Sequence, residues 1–164
     1  MLEPISGAHL VDNFDCGRPP LNDWLIQRAL SNHRKGFTSV IVAHEQNKVI
    51  GYYGLSPTAV NAATLPRSIR TGQPPDPLPC ILLGRLAVDL SQQGQGLGTV
   101  LLTHALQRAV RGAKLIGGRA ILVSALDEVA ISFWKSKGFT ATQDDPFKLF
   151  IAMAEVEKTL DRLG

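Results

Sequence analysis

The sequence predicts an α/β fold in a single domain, residues 1–164, with a mixed sheet flanked by helices. Two nearly continuous apolar runs, at 81–88 and 119–125, have the length of buried strands, and each precedes a segment with helical periodicity. The order strand, helix, strand, helix is typical of a right-handed βαβ unit with parallel strands. A chain of 164 residues is long enough to form one such domain around its own hydrophobic core.

The first part of the chain predicts a helix, a hairpin and a loop. Prolines 19 and 20 suit the first turn of a helix, and apolar residues then recur at helical spacing to about Lys35. The β-branched and aromatic stretches 38–45 and 48–55 are separated by Gln46-Asn47, a pattern typical of an antiparallel hairpin. Six of the ten prolines lie in 56–79, which predicts a long surface loop with a short helix near 59–63.

The second part predicts alternating strands and helices. A polar turn after the first buried strand leads into a helix that continues to about Leu115. The second buried strand is followed by a helix that Asp127 can cap and that ends near Lys137. A last strand is expected at 147–156, with a short helix or tail after it.

Composition narrows the function classes. The formal net charge is +3 and the pI is near 9.1, which suits a phosphate-bearing partner but also fits a solvated basic face. The sequence shows no secretory signal and no membrane-spanning apolar run, so a cytoplasmic protein is expected. Cys16 and Cys80 are predicted to be buried thiols, and the four scattered histidines predict no structural metal site.

A glycine-rich turn, Gln93-Gly-Gln-Gly-Leu-Gly98, connects a buried strand to a helix. Backbone N–H groups and the positive end of the helix converge there, so the turn is suited to bind an anion. A purely structural turn is the alternative. The spacing is neither Gly-x-x-x-x-Gly-Lys-Ser/Thr nor Gly-x-Gly-x-x-Gly, which disfavours both a P-loop and an NAD site.

The turn resembles the Gln/Arg-x-x-Gly-x-Gly/Ala pyrophosphate loop of the GNAT acetyltransferases, with Gln93, Gly96 and Gly98 at its defining positions. Leu86-Ala-Val88 before it, and Ala130–Phe139 after it, resemble the family's strand and its Ala-x-x-Phe-Tyr-x-x-x-Gly-Phe helix. This resemblance implies two central strands that splay apart and acetyl-CoA as cosubstrate. The residues that it assigns to acetyl-CoA are Leu86, Ala87, Val88, Gln93, Gly94, Gln95, Gly96, Leu97, Gly98, Thr99 and Phe133.

Three segments, Phe14–Leu25, Gly51–Leu55 and Leu83–Asp89, resemble the tRNA-acetylating toxins of bacterial type II toxin–antitoxin modules. Those toxins acetylate the α-amine of aminoacyl-tRNA and block translation. The resemblance therefore implies aminoacyl-tRNA as substrate, a ribbon-helix-helix antitoxin as partner, and a homodimer. The alternatives are acetylation of a small amine or a protein amine, and a non-catalytic role in binding acyl-CoA or an antitoxin.

Two residues bear on the chemistry. Trp134 stands where the family's helix has a tyrosine that can protonate the departing thiolate, and an indole N–H does not release a proton at useful pH. Trp134 therefore packs on the cofactor, hydrogen-bonds the thiolate or oxyanion, or marks a weakened relative. Arg85 lies in an otherwise apolar strand and is expected to contact the tRNA acceptor end; an ion pair with Asp89 or Asp127 is the alternative.

Overall fold

The computed structural model describes residues 2–163. The strands in this part of the chain are β1 (Leu2–Pro4), β2 (Ser39–Glu45), β3 (Lys48–Val60), β4 (Leu78–Val88), β5 (Ala120–Ser124), β6 (Thr140–Ala141) and β7 (Lys148–Ala152). The α-helices are α1 (Pro19–Trp24), α2 (Leu30–Arg34), α3 (Leu97–Ile116), α4 (Glu128–Ser136) and α5 (Met153–Leu163). Two compact units are present: Met1–Ser56 with Arg85–Ala105, and Pro57–Gly84 with Leu106–Gly164.

The strands pair in the order β1-β2-β3-β4-β5-β7-β6. Antiparallel pairs join β1 to β2, β2 to β3, β5 to β7 and β6 to β7, whereas β4 and β5 are parallel. The predicted α/β class with a mixed sheet is confirmed.

The first unit contains the predicted helix and hairpin. Gln46 and Asn47 have φ of 51° and 69°, as a two-residue hairpin turn requires, and they join β2 to β3. The helix has prolines in its first turn and continues from α1 through a π-helical turn, Leu25–Ala29, into α2. Its apolar face packs with the hairpin in one core, which includes Trp24, Leu25, Ala29, Val40, Val42, Val49 and Tyr52.

The second unit contains the parallel strand pair. β4 and β5 pair only at Ile81↔Ile121 and Leu82↔Leu122. Leu83 and Gly84 continue β4, and residues 123–124 continue β5, without registered partners on each other. This short ladder agrees with two strands that splay apart. On its other side, β5 pairs along its whole length with β7.

The proline-rich segment differs from the prediction of a surface loop. β3 continues to Val60, because the alternation of exposed and half-buried side chains persists beyond Leu55. The short helical turn lies at Ala62–Thr64. Leu65 and Ile69 are 0% and 4% exposed, so apolar side chains anchor part of this segment in the core of the second unit.

Smaller differences occur at the ends of the chain. β7 ends at Ala152 and α5 begins at Met153, so the last strand is shorter than predicted. β1 and β6 have 3 and 2 residues, too few for a periodic pattern to reveal them. In the described part of the chain, no helix combines the length and apolar character needed to cross a membrane.

Candidate active site

The glycine-rich turn exposes a group of unused backbone donors. Gly94 and Gly96 have φ of 79° and 87°, and the 20-residue α3 begins directly after them at Leu97. Within residues 2–163, no backbone N–H from 94 to 99 makes a short, well-aligned hydrogen bond to a protein acceptor, and the turn at 93–96 is closed only by longer or bent contacts. The positive end of the α3 dipole adds to these donors. The turn is therefore suited to bind a diphosphate.

Gly51 fixes the start of α3 against β3 in the first unit. A Cβ at this position would lie 2.9 Å from Leu101 Cδ1 and 3.3 Å from both Leu97 Cδ2 and the Ala87 carbonyl oxygen. Because no side chain fits there, the first turn of α3 and the end of β4 can both approach β3 closely. This packing holds the glycine-rich turn beside Leu86–Val88.

The side chain of Gln93 links the turn to its surroundings. Its Nε2 donates hydrogen bonds to the carbonyl oxygens of Val88, at 2.9 Å, and Cys16, at 3.1 Å. The side-chain amide is therefore occupied by the protein, and Gln93 holds the turn against the end of β4. This part of the turn therefore presents backbone N–H groups to a ligand.

Asp89 is a buried carboxylate directly after β4. It accepts hydrogen bonds from the Asp15 N–H at 2.9 Å, the Ser91 N–H at 3.1 Å and the Ser91 hydroxyl at 2.6 Å. Burial disfavours the charged form, but these hydrogen bonds outweigh it and hold the pKa of Asp89 below its ordinary value. Asp89 thus joins the end of β4 to the segment that leads into α1.

Replacing Asp89 by asparagine should lower the free energy of unfolding by about 1–3 kcal/mol, because an amide NH₂ then faces groups that donate to the carboxylate. The lowered folded pKa means that the carboxylate stabilises the fold above its unfolded pKa, and that this contribution is lost as pH falls through the folded value. Thermal unfolding from neutral pH into the acid range checks this. The wild type should lose more stability in acid than Asp89→Asn, with Asp12→Asn, an exposed position, as control. The same loss of stability in acid for the wild type and for Asp89→Asn would contradict this role of the Asp89 carboxylate.

The guanidinium of Arg85 stacks on an aromatic ring. Its Cζ lies 4.3 Å from the centroid of the Trp24 ring, and the side chain is half-buried. Among the described residues of the first unit, no carboxylate lies within 4.0 Å of it, so the alternative ion pair with Asp89 does not form, and Asp127 belongs to the second unit. Burial lowers the pKa of Arg85, yet arginine stays protonated in proteins. Arg85 is therefore a cation without an anionic partner in this part of the chain.

Trp134 lies in an aromatic cluster of the second unit. It is 7% exposed, and the rings of Phe133 and Phe139 meet it edge-to-face, each with centroids 5.1 Å away. Asp127 caps the helix that carries it by accepting the Ala130 N–H at 2.8 Å, as predicted. The indole N–H has no acceptor among residues 2–163. Packing is therefore the role that the protein itself assigns to Trp134.

Neither tyrosine can substitute as an exposed acid, because Tyr52 and Tyr53 are both 0% exposed. The Tyr52 hydroxyl donates to the Leu21 carbonyl at 2.7 Å, and burial raises the pKa of this phenol. The Tyr53 hydroxyl lies 2.6 Å from His104 Nδ1.

The two cysteines are buried, as predicted, and burial raises the pKa of both thiols. A raised pKa leaves little thiolate at neutral pH, and the thiolate is the nucleophilic form. Neither thiol is therefore suited to carry the acetyl group.

Glu3, His9 and His44 form a cluster that the scattered sequence positions did not predict. His9 Nε2 lies 2.7 Å from Glu3 Oε1, and His44 Nε2 lies 2.8 Å from the same oxygen. Both Nδ1 atoms accept backbone N–H groups, from Ser6 and Asn47, so in the neutral rings both Nε2 atoms carry the hydrogen. A metal ligand needs that nitrogen unprotonated. The arrangement thus favours a polar link between β1 and β2 over a metal site.

Comparison with known proteins identifies the family. Residues 36–141 match the family described as "Acetyltransferase (GNAT) domain". A tRNA-acetylating toxin of Mycobacterium tuberculosis (strain ATCC 25618 / H37Rv) is 42% identical over 151 residues, which cover 92% of this chain and 90% of the relative. The chain belongs to the GNAT acetyltransferase family. This confirms the predicted N-acetyltransferase class, with acetyl-CoA as cosubstrate.

Solved structures agree with this membership. The structure of AtaT complexed with acetyl-methionyl-tRNAfMet matches with a TM-score of 0.87 at 30% identity, over 96% of this chain and 97% of that one. A mutant of the AtaT toxin, bound to the C-terminus of the antitoxin AtaR and acetyl-CoA, matches with a TM-score of 0.82 at 29% identity, over 96% of each chain.

The predicted site residues of this GNAT protein fall into two groups. Arg85–Val88 and Gln93–Thr99 lie together in the first unit, whereas Phe133 and Trp134 belong to the second. Sequence reasoning missed two contacts around the first group: the stacking of Arg85 on Trp24, and the hydrogen bonds of Asp89 with Asp15 and Ser91. In the sequence, Trp24 appeared on the apolar face of a helix within a toxin-like segment, and Asp89 appeared as an alternative ion-pair partner of Arg85.

Proposed function

We propose that this acetyltransferase transfers the acetyl group of acetyl-CoA to the α-amine of aminoacyl-tRNA and thereby blocks translation. The observation that carries the proposal is the match over 92% of the chain to a relative that acetylates tRNA. Arg85 supports it, because an RNA substrate needs cations for its phosphates, and this half-buried cation has no carboxylate partner among the described residues. A small cationic amine as acceptor would instead favour carboxylates at this position.

Acetyl-CoA is bound along the first unit. The N–H groups of Gly94–Thr99 hold its diphosphate, and the backbone of Leu86–Val88 binds the extended pantetheine arm as an added strand would be bound. Backbone N–H groups near Val88 polarise the thioester carbonyl.

Transfer is direct. The neutral α-amine, whose pKa is about 7.7–8.0 when unperturbed, attacks the thioester carbon, the C–N bond forms and the C–S bond breaks. The amine proton passes to water, and CoA departs as a thiolate. An alkyl thiolate can leave near neutral pH, since an ordinary alkyl thiol such as that of cysteine has a pKa of about 8.5. No covalent enzyme intermediate is needed, since both cysteines are buried thiols.

The proposal includes the partners and the compartment. A ribbon-helix-helix antitoxin holds the protein inactive. The AtaT relative bound to the C-terminus of the antitoxin AtaR supports an antitoxin as partner. The protein acts as a homodimer in the cytoplasm, where charged tRNA is found.

Incubation with radiolabelled acetyl-CoA tests the proposal. Total charged tRNA, uncharged tRNA, polyamines and peptides are offered as separate acceptors under the same conditions. We expect label to enter the charged tRNA alone. Label found only with polyamines or peptides would reject the proposal and favour a small-amine or protein acetyltransferase, and acetyl-CoA binding without transfer to any acceptor would indicate a non-catalytic relative.

A further inference from the structure

An aromatic stack in the first unit lies beneath Arg85. The Trp24 and Tyr52 rings are parallel, with an interplanar angle of 12° and centroids 5.9 Å apart. Phe14 meets Tyr52 edge-on at 5.7 Å. The half-buried guanidinium of Arg85 thus lies against two stacked rings that are themselves buried: Trp24 is 8% exposed and Tyr52 is 0% exposed.

The two stacked rings are tied to the same helix. The Tyr52 hydroxyl donates to the carbonyl of Leu21 in α1, which ties the ring to the helix that carries Trp24. The π-helical turn begins at Leu25, immediately after Trp24. Such turns are rare and occur frequently at functional sites. Trp24 therefore has a fixed place at a distinctive point of the helix.

Stacking orients the guanidinium without neutralising it. An ion pair with a carboxylate would fix Arg85 but would also cancel its charge, and the described residues place none within 4.0 Å. An indole face attracts the cation and leaves the N–H edge of the guanidinium uncommitted. A planar edge of parallel donors matches two oxygens of one phosphate.

We propose that Trp24 is a positioning residue that, stacked on Tyr52, holds the guanidinium of Arg85 edge-on to bind a phosphodiester at the acceptor end of the tRNA substrate. This inference rests on the proposed function for the identity of the RNA. It concerns how the RNA is bound, so binding and transfer test it separately. Arg85 contacts the RNA, and Trp24 acts through Arg85.

A double-mutant comparison tests whether Trp24 acts through Arg85. The variants are Trp24→Leu, Arg85→Gln and their combination, and the measurements are the KM for charged tRNA, the KM for acetyl-CoA and kcat. We expect Trp24→Leu to raise the KM for charged tRNA about 3–30-fold, the range of a partly desolvated cation–π contact, with the KM for acetyl-CoA unchanged. In the Arg85→Gln background, Trp24→Leu should add almost nothing.

Two further variants separate positioning from packing. Trp24→Phe keeps an aromatic face and should restore most of the tRNA affinity. Phe14→Leu removes another buried ring that touches Tyr52, and it should leave the KM for charged tRNA within about 2-fold, because no cation–π contact is lost. An equal loss from Trp24→Leu with and without Arg85, or a matching rise in the KM for acetyl-CoA, would overturn the proposal.

Binding to uncharged tRNA, measured by fluorescence anisotropy, separates this inference from the proposed function. A wild type that transfers no acetyl group to charged tRNA refutes the proposed function, and the same variants then test the stack through the dissociation constant. Arg85→Gln should also flatten the salt dependence of binding by about one phosphate contact. Unchanged affinity in both Arg85→Gln and Trp24→Leu would refute the inference. Should Trp24→Leu fail to fold, Trp24→Phe and Arg85→Gln still decide the question. Unchanged tRNA affinity in Arg85→Gln would refute the phosphate contact. Loss of tRNA affinity in Trp24→Phe, which keeps an aromatic face, would refute the role of the stack.

Discussion

Gly96→Ala should raise the Kd for acetyl-CoA about 10–150-fold. Gly96 has a φ of 87°, a conformation that costs an alanine about 1–2 kcal/mol, so the turn should rearrange. Rearrangement turns backbone N–H groups away from the diphosphate, and one lost hydrogen bond to a charged group is worth about 1.5–3 kcal/mol, which corresponds to the predicted change in Kd. Isothermal titration with acetyl-CoA measures it.

Gly36→Ala is the matched control for this variant. Gly36 also has a positive φ, 79°, and a Cβ would meet no atom within 4 Å at either glycine. The two substitutions therefore carry similar strain in the folded protein, but Gly36 follows α2 and lies outside the turn. Both should lower the melting temperature to a similar extent, and only Gly96→Ala should weaken acetyl-CoA binding. Equal Kd values of the two variants for acetyl-CoA would show that the glycine-rich turn is not part of the acetyl-CoA site.

Trp134→Ala should lower the free energy of unfolding by about 3–5 kcal/mol, the usual cost of deleting a large buried aromatic side chain. The loss follows from the 7% exposure of Trp134 and from its edge-to-face contacts with Phe133 and Phe139. Trp134→Phe retains an aromatic ring and should cost clearly less. Urea unfolding of the three proteins measures the difference, and a Trp134→Ala variant as stable as the wild type would contradict the packing role.

The same position separates packing from proton transfer. Because an indole does not release its proton, Trp134→Phe should keep kcat within about 3-fold of the wild type. Trp134→Tyr introduces the residue that the family resemblance assigns to this position. A kcat raised by about 10-fold or more would show that a phenol here protonates the departing thiolate, since general acid catalysis typically contributes about 10²–10⁴-fold. Steady-state kinetics with saturating acetyl-CoA provides both values. A tenfold loss in Trp134→Phe would instead assign a catalytic hydrogen bond to the indole N–H.

Local patterns were sufficient for most of the fold. The Gln46-Asn47 turn, the prolines in the first turn of α1 and the Asp127 cap each depend on neighbours close in sequence. The parallel pairing of β4 with β5 followed from the strand-helix-strand order. The prediction of a surface loop for the proline-rich segment was wrong in part. Prolines disfavour a helix or a central strand, but they do not prevent the burial of Leu65 and Ile69.

Contacts between distant parts of the chain were not predictable. The stack of Arg85 on Trp24 joins a strand to a helix far from it in sequence, and neither residue alone indicates the other. Asp89 likewise appeared in the sequence as an alternative ion-pair partner of Arg85, whereas in the fold its hydrogen bonds with Asp15 and Ser91 make it the link at the end of β4. A single sequence shows which face of a helix or strand is apolar, but it does not show which helices and strands pack against each other.

The chemical position of the acetyl group tests the account most directly. Charged tRNA is incubated with the protein and acetyl-CoA and digested with nuclease, and the released 3′-terminal aminoacyl-adenosine is analysed by mass spectrometry. We expect the mass of one acetyl group on the amino-acid moiety, absent when the tRNA is uncharged or when Gly96→Ala replaces the wild type at low acetyl-CoA. Aminoacyl-adenosine that stays unmodified, while free amines or peptides become acetylated, would contradict the account.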